Sequence, residues 1–298
     1  MRKIYLILML IVLQYNFLFA QEPLWQGKGR IVISCDGNEH DHDDWGATPL
    51  SLAIIASKGL QSKLSLLIYA DHIWGSNHEH PGFEGINAYQ QIKESSVKGG
   101  KMFGFKNTKF ISAVDNPEIA YNALKDQINQ SSENDPLFII EGGPVHLIGE
   151  ALNRSDVAKR KYVTIITTLN SWNDTHADKP YLSWENHSGW TLDEIKQFEG
   201  NCNIVEIQNQ APYLERNWKE YEWLLTAPER NNPYYKKNSW EWLFNKLCLT
   251  TKNRGVDRDY YYAIDPTDAG KVIFLLTGIE ETSPQLVYEL MRNPQKNN

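Results

Sequence analysis

Asp36, Glu39, Asp41, Asp43 and Asp44 fall within nine residues, with His40 and His42 between them. Carboxylates packed this tightly repel one another, and a fold tolerates them where a cation, a proton or bulk water screens the charge. A solvated acidic loop is the plain reading. The position argues for a site instead, because the knot follows the apolar run Ile31-Val-Ile-Ser-Cys35 directly and a helix-like stretch begins after it. The C-terminal end of a buried strand is where α/β sheets bind ligands. Asp36, Asp43 and Asp44, taken with the late Asp265 and Asp268, form a set of hard oxygen donors suited to Ca²⁺ or Mg²⁺. A cation there would hold water, and one carboxylate could act as its general base. The histidines make Zn²⁺ a rival, ranked second because neither helix-spaced His ligands nor a Cys pair is present.

A second polar cluster, Asp71, His72, Asn77, His78, Glu79 and His80, follows a second apolar run, Leu64–Tyr69. His72, His146, His176 and His187 are candidates to protonate a leaving group, since a neighbouring carboxylate can keep a His charged near neutral pH. Trp74, Trp172, Trp184 and Trp190 offer faces on which a sugar could stack.

The elements that must position these groups alternate in type. Strands are expected at 29–35, 64–69, 110–113, 136–140, 161–167 and 203–208. Helices are expected at 47–58, closed by Gly59, and at 83–98. A further helix starts at the capping-box-like Asp115-Asn-Pro-Glu118 and runs to about residue 130. Others follow Glu141-Gly-Gly-Pro144 as far as residue 152, start at the Thr191/Glu194 capping box, and cover 270–276. Residues 215–248 read as one aromatic-rich helical stretch. The pattern predicts an α/β fold, a mostly parallel central sheet with helices on both faces, so that the polar strand ends share one edge.

Residues 1–20 read as a secretory signal peptide, with Arg2 and Lys3 before an apolar core and cleavage near Ala20. This implies a secreted or periplasmic protein, with residues 21–298 as one domain. No later segment is apolar enough to span a bilayer. The net charge of −7, more negative by two once Arg2 and Lys3 are lost, argues against nucleic acid as a partner. Cys35, Cys202 and Cys248 form no evident disulfide framework, and Cys35 reads as a small buried hydrophobe. The aromatic-rich stretch could serve as core, substrate wall or a surface for self-association.

Three landmarks together resemble the nucleoside hydrolase family. That family opens with a strand followed by Asp-x-Asp-x-Gly-x-Asp-Asp and a helix. Here Ile33-Ser-Cys-Asp36 and Asp43-Asp44 match, with about three extra residues between. Leu137-Phe-Ile-Ile-Glu-Gly-Gly-Pro-Val-His-Leu-Ile148 looks like the family's strand–Gly-Pro-Leu-Thr-Asn–helix segment, and Asp265-Pro-Thr-Asp268 falls near its last metal-binding Asp. The secreted, carbohydrate-linked branch of that fold looks closer than the intracellular enzymes. The resemblance implies a Ca²⁺ at the floor of a pocket, ahead of Zn²⁺ or Mg²⁺. Asp36 would match the metal-binding general base, Asp44 a bidentate ligand and Asp43 an acceptor for a sugar hydroxyl. His146 falls where the family binds metal through a backbone carbonyl, Asp265 or Asp268 would supply the last carboxylate, and Asn186 would match an Asn on the sugar. The insertion 38–41 reshapes the metal loop, and Asp71-His72 replaces the family's second-strand Gly-Asn.

The function implied is hydrolysis of a glycosidic or N-glycosidic bond in a sugar, nucleoside or oligosaccharide by water that the cation holds. A non-catalytic glycan-binding protein on the same fold and a metal-dependent hydrolase of another bond, such as a phosphoester, are the alternatives.

Overall fold

The computed structural model describes residues 22–37, 42–73, 86–168, 189–226, 237–250 and 263–292. The proposed signal peptide and insertion 38–41 lie outside these, as do Trp74, Trp172, His176, Trp184, Asn186 and His187.

Six strands form one parallel sheet: β1 (Arg30–Cys35), β2 (Leu64–Tyr69), β3 (Lys109–Ser112), β4 (Leu137–Gly142), β5 (Val163–Thr168) and β6 (Asn203–Ile207). Their spatial order is β3-β2-β1-β4-β5-β6. The central strands are apolar on both sides, as a sheet covered on both faces requires. One face is covered by α1 (Asp44–Ser57), α5 (Lys237–Leu249), α6 (Ala269–Thr277) and α7 (Pro284–Arg292), through Trp45, Ile55, Leu247 and Phe274. The other is covered by α2 (Pro117–Asn129), α3 (His146–Asn153) and α4 (Leu192–Lys196), through Leu124, Ile148 and Ile195.

This is the expected α/β architecture. The chain winds outward through β1, β2 and β3, then returns to the centre at β4 and winds the other way. The reversal leaves a crevice between the C-terminal ends of β1 and β4, where such sheets bind ligands.

Several boundaries differ from the sequence pattern, and each difference bears on the crevice. Helix α1 starts at Asp44 rather than residue 47, because the Asp43 side chain accepts from the Asp44 N–H and caps it. Pro49 then lies inside the helix, with no N–H for the Trp45 carbonyl; the buried Ser95 hydroxyl takes that carbonyl at 2.8 Å. Strand β4 runs to Gly142 and so includes Glu141. The stretch 215–248 is not one helix: β7 (Arg216–Asn217) pairs with β8 (Ala263–Ile264), a 3₁₀ turn follows at Trp218–Tyr221, and among the described residues α5 covers Lys237–Leu249. The capping box at Thr191 and Glu194 is present and opens α4. Among the described residues no helix is long and apolar enough to cross a membrane.

Candidate metal centre

Asp36 is the first residue beyond β1, and Asp43 and Asp44 start α1. Asp36, Asp43 and Asp44 each offer a carboxylate oxygen within 4.8 Å of the others, an arrangement that could hold a metal ion. Asp36 and Asp44 are almost wholly buried. The triad is organised from within: Asp44 Oδ2 accepts from the Asp36 N–H at 2.8 Å, and Asp36 Oδ1 accepts from the Gly37 N–H. Asp43 Oδ1 accepts from the Asp44 N–H at 2.7 Å, and its Oδ2 accepts from the Thr267 hydroxyl at 3.0 Å. Gly37 turns the chain with φ +58°, and a Cβ there would meet Ile92 at 2.8 Å. Its carbonyl accepts from Trp45 Nε1 at 2.8 Å, which ties the metal loop to α1.

β2 supplies a further carboxylate. Ala70 has φ +55°, an uncommon conformation for a residue with a side chain, and it turns the chain directly before Asp71. Asp71 is wholly buried; its Oδ2 accepts from the Ser34 hydroxyl at 2.6 Å, and its Oδ1 has no hydrogen-bond partner among the described residues. His72 follows it and is equally buried.

β4 brings Glu141 and two glycines. Glu141 accepts from the Gly143 N–H at 2.9 Å and from the Thr167 hydroxyl at 2.5 Å. A Cβ on Gly143 would lie 2.4 Å from Asp71 Oδ1 and 2.9 Å from Asp36 Cβ; one on Gly142 would lie 2.8 Å from Asp268 Oδ2. The Gly-Gly pair is therefore what lets three carboxylates approach the end of β4.

Of the two late aspartates, Asp265 holds the turn. Its Oδ1 accepts from the Thr267 N–H at 3.3 Å, and its own N–H donates to the Thr250 hydroxyl at 2.8 Å. Asp268 faces the carboxylates and is ion-paired with Lys271, a buried cation in the first turn of α6. Neither late aspartate belongs to the convergent triad. The ring of His146 is committed on the α2–α3 side of the sheet, where Nε2 pairs with Tyr121 Oη at 3.1 Å and Nδ1 accepts from the Trp190 N–H at 3.3 Å. Trp190 also packs into the protein, its indole N–H donating to Glu150 at 3.1 Å and its ring 4.9 Å from Phe198.

Lys271, Thr267 and Ser34 were not singled out in the sequence. Lys271 had one signal: a lone charge in the apolar run Ala-Gly-Lys-Val-Ile-Phe-Leu-Leu, three residues after Asp268.

Burial pushes the carboxyls of Asp44 and Asp71 well above the usual range. Asp268 and Asp36 add to the effect at Asp44. At Asp71 the Ser34 hydrogen bond works against it while Glu141 and Asp268 reinforce it. Glu141 is pushed up to about 7 by burial, against the pull of Lys271 and Thr167. Burial opposes the Lys271 ammonium, but Asp268, Glu141 and Asp43 outweigh it and hold it charged. The site is thus short of positive charge, and a divalent cation would relieve it.

A pH dependence follows for metal-stripped protein. The neutral Glu141 carboxyl contributes stability that is complete below its unfolded value and is lost as pH rises through about 7. The thermal midpoint in chelator should fall between about pH 5 and pH 7.5, and Glu141→Gln should flatten that slope. A midpoint that rises across the interval would contradict the assignment.

No family model matches the chain. A protein of Formosa agariphila described as "Uncharacterized protein P22" is 28% identical over 261 residues, covering 87% of each chain. The two are similar over most of their length, and the functional reading therefore rests on the geometry of the site.

Proposed function

We propose that the chain is a secreted, metal-dependent hydrolase of a glycosidic or N-glycosidic bond, with Ca²⁺ held by the Asp36–Asp43–Asp44 triad. The observation that carries this reading is the convergence of three carboxylates at the switch point of a doubly wound sheet. The resemblance of these segments to nucleoside hydrolases supports it, and the all-oxygen donor set favours Ca²⁺ over Zn²⁺.

When bound, the cation supplies a Lewis-acidic point that orients water and vicinal sugar hydroxyls. Asp36, placed at the end of β1, accepts the proton of the attacking water. The resulting hydroxyl bonds to the anomeric carbon as the bond to the leaving group breaks and oxocarbenium character develops. Asp43, steadied by Thr267, accepts a hydrogen bond from a sugar hydroxyl. His72 is the candidate for protonating the leaving group.

Purified protein screened against p-nitrophenyl glycosides, nucleosides and oligosaccharides should hydrolyse one class, with turnover lost in chelator and restored by Ca²⁺. Asp36→Asn should lower turnover by about 10²–10⁴-fold without loss of fold. Turnover unaffected by Asp36→Asn would sink the mechanism. Glycan binding without turnover would favour the binding-protein alternative, and turnover of phosphoesters alone would favour the other-bond alternative.

A further inference from the structure

Trp45 stands at the junction of the metal loop. Its indole N–H donates to the Gly37 carbonyl at 2.8 Å, on the Asp36 side of the loop. Its ring meets the His42 ring edge-on at 4.5 Å, on the Asp43 side. One wholly buried side chain thus touches both flanks of the segment that joins two members of the triad. The place of Trp45 is in turn set from outside α1. Pro49 has no N–H to donate to the carbonyl four residues before it, and that carbonyl belongs to Trp45. Ser95, wholly buried, supplies a donor from a neighbouring helix, its hydroxyl reaching the Trp45 carbonyl at 2.8 Å. Ser95 lies in a π-helical turn, Glu94–Lys98, set between the α-helical pieces Ala88–Lys93 and Gly99–Met102. Such turns are rare and tend to mark functional positions. This one is braced from α5, where the buried Lys246 ammonium donates to the Gln91 side chain at 2.7 Å and pairs with Glu94 at 2.9 Å. The same helix touches the loop directly, since Ile92 packs where a Cβ on Gly37 would stand.

We propose that Ser95 and Trp45 are positioning residues for the cation centre. Ser95 supplies the hydrogen bond that Pro49 denies to α1, which fixes Trp45, and Trp45 holds Gly37 and His42 so that Asp36 meets Asp43 and Asp44. The inference rests on the metal-binding part of the proposed function and extends it to a helix that contributes no member of the triad. Carboxylates held in place before the ion arrives bind it more tightly than carboxylates that the ion must gather, which is why partners outside the ligand set affect affinity.

The missing proline N–H makes the route testable by rescue. Metal-stripped wild type, Ser95→Ala, Pro49→Ala and the double variant would be titrated with Ca²⁺ by calorimetry, with thermal unfolding in chelator to establish that each is folded. Ser95→Ala removes the hydroxyl and should weaken Ca²⁺ by about 10-fold, the lower end of what a lost outer partner costs. Pro49→Ala restores the backbone N–H within α1 and should leave the affinity close to that of the wild type. Combined with Ser95→Ala, it should recover most of the lost affinity, because the Trp45 carbonyl regains a donor from its own helix. A folded Ser95→Ala that binds Ca²⁺ as tightly as the wild type overturns the proposal. So does a loss of affinity in Ser95→Ala that the double variant does not recover, since the effect then does not pass through the Trp45 carbonyl. If Ser95→Ala does not fold in chelator, the proposal requires the double variant to fold and to bind Ca²⁺ as the wild type does, and its failure to do so overturns it as well. A wild-type chain that binds no Ca²⁺ would overturn the proposed function itself, and the wild-type titration identifies that outcome.

Discussion

Asp44→Asn is expected to abolish divalent-cation binding and, at the same time, to make the metal-free protein more stable. The two effects share one cause. Asp44 is buried at the N-terminus of α1, close enough to Asp36 and Asp268 that each raises its pKa, and burial raises it further. In the absence of a cation that charge is a liability. An amide keeps the oxygen that accepts from the Asp36 N–H, a contact of 2.8 Å in the native chain, and discards the charge. Relief of a buried, poorly compensated charge is worth about 1–3 kcal/mol, or roughly 2–6 °C in a protein of this size. Loss of a carboxylate ligand should weaken Ca²⁺ by more than about 100-fold, because losing an outer partner alone costs about 10–100-fold. Thermal unfolding with and without Ca²⁺ reads both effects. A variant that loses stability in chelator and gains it back with Ca²⁺ would show that Asp44 is neither a ligand nor a source of repulsion.

Gly143→Ala should be the most damaging single methyl in the site. The added Cβ would stand 2.4 Å from Asp71 Oδ1, 2.9 Å from Asp36 Cβ and 3.2 Å from the Asp36 backbone nitrogen. Asp71 is tied to Ser34 through its other oxygen, and Asp36 is held by Asp44. Neither can retreat without breaking a buried hydrogen bond. Overpacking of this kind costs about 1–3 kcal/mol, and the displaced Asp36 should take the cation site with it. Gly142→Ala is the internal comparison. Its nearest contact is the far end of the Asp268 side chain at 2.8 Å, with the Ser34 carbonyl at 3.2 Å, so it should be milder on both counts. Unfolding midpoints and Ca²⁺ titrations of the two variants would settle the order; equal effects would contradict the close approach at Gly143.

Much of the fold was legible because period and punctuation agree. β2 matches its apolar run residue for residue, Leu64–Tyr69, and the Thr191/Glu194 capping box opens α4 as it reads in the sequence. The aromatic stretch 215–248 was misleading for a physical reason. Trp218 and Tyr221 are spaced as a helix would allow, yet they sit in a 3₁₀ turn that follows β7, and the strand that pairs with β7, β8, lies far along the chain; of the aromatics in this stretch, Trp240 does lie in a long helix, α5. Helix α7 is signalled by Ser283-Pro284, a cap residue before a first-turn proline, and the Ser283 hydroxyl accepts from the Leu286 N–H at 3.1 Å. In the site, Asp36, Asp43 and Asp44 were visible as a crowded motif. Asp71, Glu141, Asp268 and Lys271 were not visible as a unit, because what unites them is proximity at the end of β4, made by the turn at Ala70 and by two glycines without side chains. The His146 ring pairs with Tyr121 on the α2–α3 side of the sheet, whereas the contact the resemblance implies for this residue is made by its backbone carbonyl.

The central claim is that the Asp36–Asp43–Asp44 triad is a divalent-cation site. Its most direct test is a calorimetric titration of Ca²⁺ into chelator-stripped wild type and Asp44→Asn at the same pH. Saturable binding of one Ca²⁺ per chain in the wild type, absent from the folded variant, is the predicted result. No binding in the wild type, or the same isotherm in both proteins, would contradict it.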